Sequence, residues 1–118
     1  MTCAPTRPRI LFVDDQPEIL HGMSRVFSRG RWDVHTALGS EAALDLLARE
    51  TFDVIVTDLH MDGMDGCAVL AVASDRHPHA FRLVLTGDGE ESSLSRARRL
   101  AHEVLLKPCA ASELRDAI

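Results

Sequence analysis

Apolar and polar positions divide the chain into short apolar runs and longer segments with helical periodicity. The first run, Ile10–Val13, stops abruptly at two aspartates, which predicts a buried strand followed by a turn. Pro17 suits the first turn of the helix that follows. The apolar positions of this helix recur at three- and four-residue steps and end before Gly30: Ile19, Leu20, Met23, Val26 and Phe27.

The same alternation continues to the end of the chain. Further strand candidates are Trp32–Ala37, Phe52–Thr57, Phe81–Leu85 and Val104–Leu106. Further helix candidates are the segment from Gly39 to about Glu50, with Leu44, Leu47 and Ala48 on one side, then Cys67–Ala73, Glu90–Ala101 and a last helix from about Ala111. Leu59–Gly66 is predicted as a loop. Strands that alternate with helices predict an α/β domain with a parallel sheet, because parallel neighbours need a crossover.

Size and charge narrow the class of protein. At 118 residues the chain fits one domain with one hydrophobic core. Its 18 acidic and 13 basic residues give a formal net charge of -5, which argues against a nucleic-acid-binding surface spread over the chain. The first residues, Met1–Arg9, lack the apolar segment of an export signal, and no later run approaches membrane-spanning length. We therefore expect a soluble protein without membrane contact.

The cysteines indicate the compartment. Cys3, Cys67 and Cys109 are odd in number and far apart, without the paired spacing of a zinc site or a redox motif. This pattern favours the reducing cytoplasm. The six histidines form no metal-binding motif either, so a transition-metal site is not expected.

Five polar residues stand where the predicted strands end. Asp14 and Asp15 follow the first strand, Asp58 the third, Thr86 the fourth and Lys107 the fifth. Ligands of an open parallel sheet gather at the carboxyl ends of its strands. Three carboxylates, a hydroxyl and an ammonium group are therefore expected to converge at one edge of the sheet.

Such a pocket suits phosphoryl transfer. Two unit charges about 4 Å apart interact by roughly 4 kcal/mol at an effective dielectric near 20, so clustered carboxylates require a cation, and oxygen ligands suit Mg²⁺. Asp58 is then the candidate nucleophile, while Thr86 and Lys107 hold phosphoryl oxygens. Positioning and charge neutralisation do most of the work in phosphoryl transfer.

Together these residues resemble the response-regulator receiver family of two-component signalling. The matching positions are Asp14-Asp15, Asp58, Thr86 and Lys107-Pro108, and the resemblance covers nearly the whole chain. It implies a flavodoxin-like, five-stranded parallel sheet in the order 2-1-3-4-5, flanked by helices on both faces. It also implies a receiver domain over residues 9–118, preceded by an N-terminal tail over residues 1–8.

The same resemblance implies a phosphorylation-dependent switch. Asp58 would accept a phosphoryl group from a histidine kinase or histidine phosphotransfer protein. Mg²⁺ would be bound directly by Asp15 and Asp58, through water by Asp14, and by the backbone carbonyl of His60. The Lys107-Pro108 peptide is expected to be cis. Phosphorylation would change the surface around helix 4, strand 5 and helix 5, which controls an output domain, a separate effector or a homodimer, without enzymatic turnover of other substrates.

Some positions depart from the family's pattern. Val104 stands where the family carries an aromatic switch residue, so we expect phosphorylation to shift the conformational equilibrium only in part. His102 is either a substitute for that aromatic residue or a solvent-facing residue. Asp62 replaces a favoured proline, which should loosen its loop. His60 and Asp88 occupy positions that influence phosphoryl lifetime in similar domains, with a plain surface role as the alternative.

Several of these residues also suit a different role. Asp14 and Asp15 alone suit the N-terminus of a helix, and the arginines at 96, 98 and 99 suit either a solvated helix face or an acidic partner. A phosphatase of the haloacid dehalogenase type needs Asp-x-Asp after its first strand, where this chain has adjacent aspartates. A degenerate receiver that acts as a constitutive interaction module remains the alternative, because of Val104.

The C-terminal end suggests a longer protein. The last predicted helix reaches Ile118 after about two turns, so we expect it to be truncated. The stretch 101–109 is similar to receivers placed before HD-type signalling domains, including cyclic-di-nucleotide phosphodiesterases. An output domain after residue 118 is therefore an expectation.

Overall fold

The fold is built on one parallel sheet. The computed structural model describes residues 7–61, 64–87, 91–106 and 111–118. The five strands of the parallel sheet are β1 (Arg9–Asp14), β2 (Asp33–Leu38), β3 (Val54–Asp58), β4 (Phe81–Thr86) and β5 (Glu103–Leu106). They pair in the order β2-β1-β3-β4-β5, and every pairing is parallel. The predicted order 2-1-3-4-5 is confirmed.

Helices cover both faces of the sheet. They are α1 (Pro17–Ser28), α2 (Ser40–Arg49), α3 (Gly66–Arg76), α4 (Glu91–Leu100) and α5 (Ala111–Ala117). One face packs against α1 and α5, and the other packs against α2, α3 and α4. No helix in the described ranges combines the length and apolarity needed to cross a membrane.

The central strands form the core because their side chains alternate between two apolar layers. Leu11, Val13 and Ile55 point into the α2–α3 layer, and Ile10 and Phe12 point into the α1–α5 layer. Each of these residues is at most 2% exposed. Full burial of such a side chain contributes about 1.5–3 kcal/mol. The ends of β1 and β3 are therefore held in place by a tightly packed core on both faces of the sheet.

The structure corrects some predicted boundaries. β3 begins at Val54 rather than Phe52. α3 runs over Gly66–Arg76 rather than Cys67–Ala73, and its hydrogen bonding continues past Ala73, whose carbonyl accepts the amide of His77 at 2.7 Å. The buried pair of α2 is Ala43 and Leu47, and Ala48 is exposed. The segment predicted as a loop contains a short antiparallel ladder, in which His60–Met61 pairs with Met64–Asp65.

Candidate functional site

Three carboxylates meet at the carboxyl edge of the sheet. Asp14 ends β1 and Asp58 ends β3, and these strands are paired so that Val13 faces Thr57. Asp15 follows directly. Carboxylate oxygens of the three aspartates lie within 4.8 Å of one another. Asp14 and Asp58 are buried, and Asp15 is half-buried. The structure thus brings together the three acidic residues that the sequence placed at strand ends.

Backbone groups fix Asp14 in place. The amide of Gln16 donates to Oδ1 of Asp14 at 3.0 Å, and the amide of Gly39 donates to its carbonyl oxygen at 2.8 Å. The N-cap residue of α1 is Gln16, not either aspartate. Neither aspartate is therefore the N-cap of α1, because both precede the cap residue.

The backbone around Asp58 is also held. The hydroxyl of Thr57 donates to the carbonyl oxygen of Asp58 at 3.0 Å. The amide of Leu59 donates to the carbonyl of Leu85 at 2.9 Å, and the amide of Gly66 donates to the carbonyl of Leu59 at 2.6 Å. Asp58 therefore leaves the sheet on a segment with little freedom to move.

Thr86 lies beside this pocket and carries an unusual hydroxyl. Asp58 pairs with Leu85 across β3 and β4, so Thr86 stands one residue further along the same edge. Thr86 is fully buried, and its Oγ1 has no hydrogen-bond partner in the part of the chain that the structure describes. A buried hydroxyl without a partner costs about 1–3 kcal/mol. Such a group is suited to bind a ligand oxygen.

Several predicted residues lie outside the described residues. They are Lys107 and Pro108, with their predicted cis peptide, and the loop residues Asp62 and Asp88. His60 is described as the first residue of the short ladder, two positions after Asp58. Its backbone carbonyl is therefore close in sequence to Asp58.

The aromatic-switch position contributes to packing. Val104 is half-buried, pairs with Val84 across β4 and β5, and packs against the cluster between α3 and α4. His102 lies at the amino end of β5, where its Nδ1 accepts the amide of Arg82 at 3.0 Å and its ring stacks on Phe81. The suggestion that His102 replaces the aromatic residue is wrong, because it sits at the edge opposite the pocket.

The donor set of the pocket fits a hard divalent cation. Three unit negative charges within 4.8 Å of one another repel by roughly 3 kcal/mol per pair at an effective dielectric near 20. A cation among the carboxylate oxygens offsets this repulsion. Oxygen ligands are those that Mg²⁺ and Ca²⁺ prefer, and Mg²⁺ typically takes one or two carboxylates together with a phosphate oxygen.

One feature near the site was missed by sequence reasoning. Gly66 is buried and its backbone lies against that of Asp58. The available signal was a glycine directly before a predicted helix in the segment that follows Asp58. Such a glycine indicates close backbone approach, but only the three-dimensional structure shows which residue it approaches.

Comparison with known proteins agrees with this architecture. A family model described as the response regulator receiver domain matches residues 10–118. Among curated proteins, the chain is 32% identical over 111 residues to the response regulator protein FleR of Pseudomonas aeruginosa, and the match covers 93% of this chain and 24% of that protein. The chain spans between 24% and 30% of the length of three curated relatives that it matches.

Two solved structures share the fold over almost the whole chain. The signal receiver domain of an HD domain-containing protein from Pseudomonas fluorescens Pf-5 is 33% identical with a TM-score of 0.87, and the match covers 94% of this chain and 90% of that one. A response regulator protein from Burkholderia pseudomallei with a phosphorylated aspartic acid, a calcium ion and citrate is 29% identical with a TM-score of 0.86, covering 93% and 65%. With its sheet order, its strand-end carboxylates and the family match, the chain belongs to the response regulator receiver domain family of two-component signalling.

Proposed function

We propose that this chain, over residues 9–118, is a phosphorylation-dependent switch that accepts a phosphoryl group on Asp58 with Mg²⁺. The observation that carries the proposal is the meeting of three carboxylates and a buried, unpartnered Thr86 hydroxyl at one edge of the sheet, within the described residues. The donor is a histidine kinase or a histidine phosphotransfer protein. The phosphorylated aspartate of the Burkholderia relative supports this chemistry.

Each residue of the site has a role in this proposal. A carboxylate oxygen of Asp58 attacks phosphorus, an oxygen–phosphorus bond forms, and the bond from phosphorus to the donor nitrogen breaks. Asp15, Asp58 and the His60 carbonyl would hold Mg²⁺ directly, and Asp14 would hold it through water. When bound, Mg²⁺ neutralises charge on the phosphoryl oxygens. Thr86 donates a hydrogen bond to one phosphoryl oxygen, and Lys107 is assigned to another.

The output surface is proposed on α4 and β5. Arg96 and Arg99 flank a shallow cavity of about 280 Å³ that Leu100 also lines, and neither arginine forms an ion pair with a described residue. Leu106 on β5 is 68% exposed. A basic and partly apolar surface suits an acidic protein partner, an output domain or a second copy of the chain. The net charge of -5 does not favour nucleic acid as the partner.

The domain is proposed to signal without catalysing turnover of other substrates. Its chemistry is complete once Asp58 has been phosphorylated and water has hydrolysed the aspartyl phosphate, which restores the carboxylate and releases phosphate. The odd, widely spaced cysteines favour the cytoplasm as its compartment.

The test is an intact-mass spectrum after incubation with acetyl phosphate and Mg²⁺, beside an Asp58→Asn variant and an EDTA control. We expect one phosphoryl adduct, absent from both controls and removed by hydroxylamine, which cleaves acyl phosphates. The reagent can also acetylate amines, and Lys107 is the only lysine of the sequence. An acetyl group adds a different mass from a phosphoryl group, so the two adducts are told apart in the spectrum. A folded protein without a phosphoryl adduct would instead support a constitutive interaction module.

A further inference from the structure

Gly66 leaves no room for a side chain because its α-carbon lies against the backbone of Asp58. A Cβ atom placed on Gly66 would stand 2.2 Å from the carbonyl oxygen of Asp58. It would also stand 3.0 Å from the carbonyl carbon of Asp58 and 3.0 Å from the α-carbon of Leu59. Non-bonded heavy atoms pack best at about 3.5–4.0 Å. Any other residue at position 66 must therefore displace backbone.

Space, rather than backbone conformation, is the reason for glycine at this position. Among the glycines that the structure describes, only Gly39 has a positive φ, of 89°. Gly66 begins α3 with a backbone that other residues adopt readily. A side chain at position 66 would overlap sterically with the carbonyl group of Asp58.

The atoms in contact with Gly66 cannot move aside easily. The carbonyl oxygen of Asp58 accepts the hydroxyl of Thr57 at 3.0 Å. Leu59 is fully buried, and it is held between the carbonyl of Leu85 at 2.9 Å and the amide of Gly66 at 2.6 Å. A side chain at position 66 must break part of this arrangement.

We propose that Gly66 is a positioning residue for phosphoryl transfer: its missing side chain lets α3 begin against the carbonyl of Asp58 and holds the Asp58 carboxylate beside Asp14 and Asp15. This inference rests on the proposed function. Relieving the contact requires the backbone at Asp58 to shift by roughly 1 Å, and a misplacement of a reacting group by that distance lowers the reaction rate about a hundredfold. The cluster of oxygens within 4.8 Å would open at the same time, so Mg²⁺ binding weakens with it.

The test compares Gly66→Ala with Gly22→Ala, which adds the same methyl group where nothing lies within 4 Å. Initial rates of phosphorylation by acetyl phosphate are measured by intact mass, and Mg²⁺ affinity is measured separately by calorimetry. We expect Gly66→Ala to be about a hundredfold slower and to bind Mg²⁺ more weakly, while Gly22→Ala keeps the wild-type values. If Gly66 served the fold alone, Gly66→Ala would lower the midpoint of urea denaturation but leave the phosphorylation rate and the Mg²⁺ affinity of the folded protein unchanged. That result would overturn the inference.

A second measurement on the wild-type protein decides the matter if Gly66→Ala does not fold. The amide resonances of Gly66 and Gly22 are followed by NMR as Mg²⁺ and beryllofluoride are added. We expect the Gly66 amide to shift and the Gly22 amide to stay; an unmoved Gly66 amide in a protein that binds beryllofluoride would overturn the inference. A wild-type protein that takes neither phosphoryl nor beryllofluoride would contradict the proposed function instead.

Discussion

At the residue scale, two buried threonines at neighbouring strand ends have hydroxyls in different situations. Thr57 and Thr86 are both fully buried. The hydroxyl of Thr57 donates to the carbonyl of Asp58, whereas the hydroxyl of Thr86 has no partner among the described residues. A hydroxyl that costs stability in the resting protein is explained if it serves a ligand in another state. The comparison therefore supports the proposed role of Thr86 as a ligand-binding residue, whereas the Thr57 hydroxyl already has a backbone partner.

Replacing each threonine with valine should reveal this difference. Thr86→Val removes a hydroxyl without a partner, so the free energy of unfolding should stay equal or rise by up to about 1–3 kcal/mol, while beryllofluoride binding weakens. Thr57→Val removes a hydrogen bond and should lower the free energy of unfolding by about 0.5–1.5 kcal/mol. Urea denaturation and a beryllofluoride titration measure the two effects. Equal destabilisation by both substitutions would mean that the Thr86 hydroxyl already has a partner at rest.

At the element scale, the buried central strands were predictable and the segment after Asp58 was not. The continuous apolar residues of Ile10–Val13 are typical of a parallel strand covered on both faces, and the structure buries all of them. Phe52 is also apolar and buried, but it precedes β3, and its ring packs against the rings of His35 and His77. The ladder between 60–61 and 64–65 has only two residues on each side, too few for a strand periodicity to show in the sequence.

His77 joins two of these elements at the amino edge of the sheet. It follows the end of α3, is buried, and places Nε2 at 2.8 Å from the carbonyl oxygen of Leu47 on α2. A carbonyl only accepts, so Nε2 carries the proton. The ring also lies 6.5 Å from that of Phe52. The bond supplies one of the α2 carbonyls near the helix end with a donor.

His77→Ala should therefore weaken the fold without touching the pocket. Loss of the hydrogen bond and of the packed ring is expected to lower the free energy of unfolding by about 1–3 kcal/mol. The exposed His79 provides a matched control, since His79→Ala should change stability by less than about 0.5 kcal/mol. Urea denaturation followed by far-UV circular dichroism measures both. Phosphorylation rates equal to the wild type are expected below the transition, and a slower rate in His77→Ala would show coupling between the two edges.

At the scale of the whole molecule, the two edges of the sheet carry different chemistry. The carboxyl edge collects three aspartates, and the amino edge is closed by the side chain of Arg9. Its guanidinium lies 5.0 Å from the ring centroid of Phe52 and contacts Asp33, His35, the carbonyl of Thr51 and Glu50. One edge thus carries the proposed ligand site, and the other joins β1, β2 and the end of α2.

The carboxyl edge could be predicted from sequence and the amino edge could not. Topology alone places the ends of parallel strands together, so Asp14, Asp58 and Thr86 follow once the strands are known. The pair of Arg9 and Glu50 joins residues 41 positions apart, and nothing in the local sequence indicates it. The contact between Gly66 and Asp58 likewise depends on packing at the scale of an ångström, below what residue patterns resolve.

The amino edge predicts a specific dependence of stability on pH. The hydrogen bond from Arg9 holds the pKa of Glu50 below its ordinary value of 4.5, with smaller contributions from the charges of Arg9, His35 and Arg49, while desolvation opposes the shift. Because the folded pKa is the lower one, Glu50 contributes stability that is fully present above the ordinary value. That contribution is lost as the pH falls through the lowered folded pKa.

Glu50→Gln should therefore flatten the fall in unfolding free energy as the pH is lowered from neutral through 4.5 and on through the lowered folded pKa. Its cost at neutral pH should shrink in high salt because the pair is partly exposed to solvent. Urea denaturation across this range, followed by circular dichroism, measures the profile. The matched control is Glu50→Gln in an Arg9→Met background, where the partner is already missing and the second substitution should leave the profile almost unchanged. If Glu50→Gln runs parallel to the wild type at every pH, the ion pair contributes nothing to the closure of this edge. The remaining contacts of Arg9, with Phe52, Asp33, His35 and the carbonyl of Thr51, must then account for it.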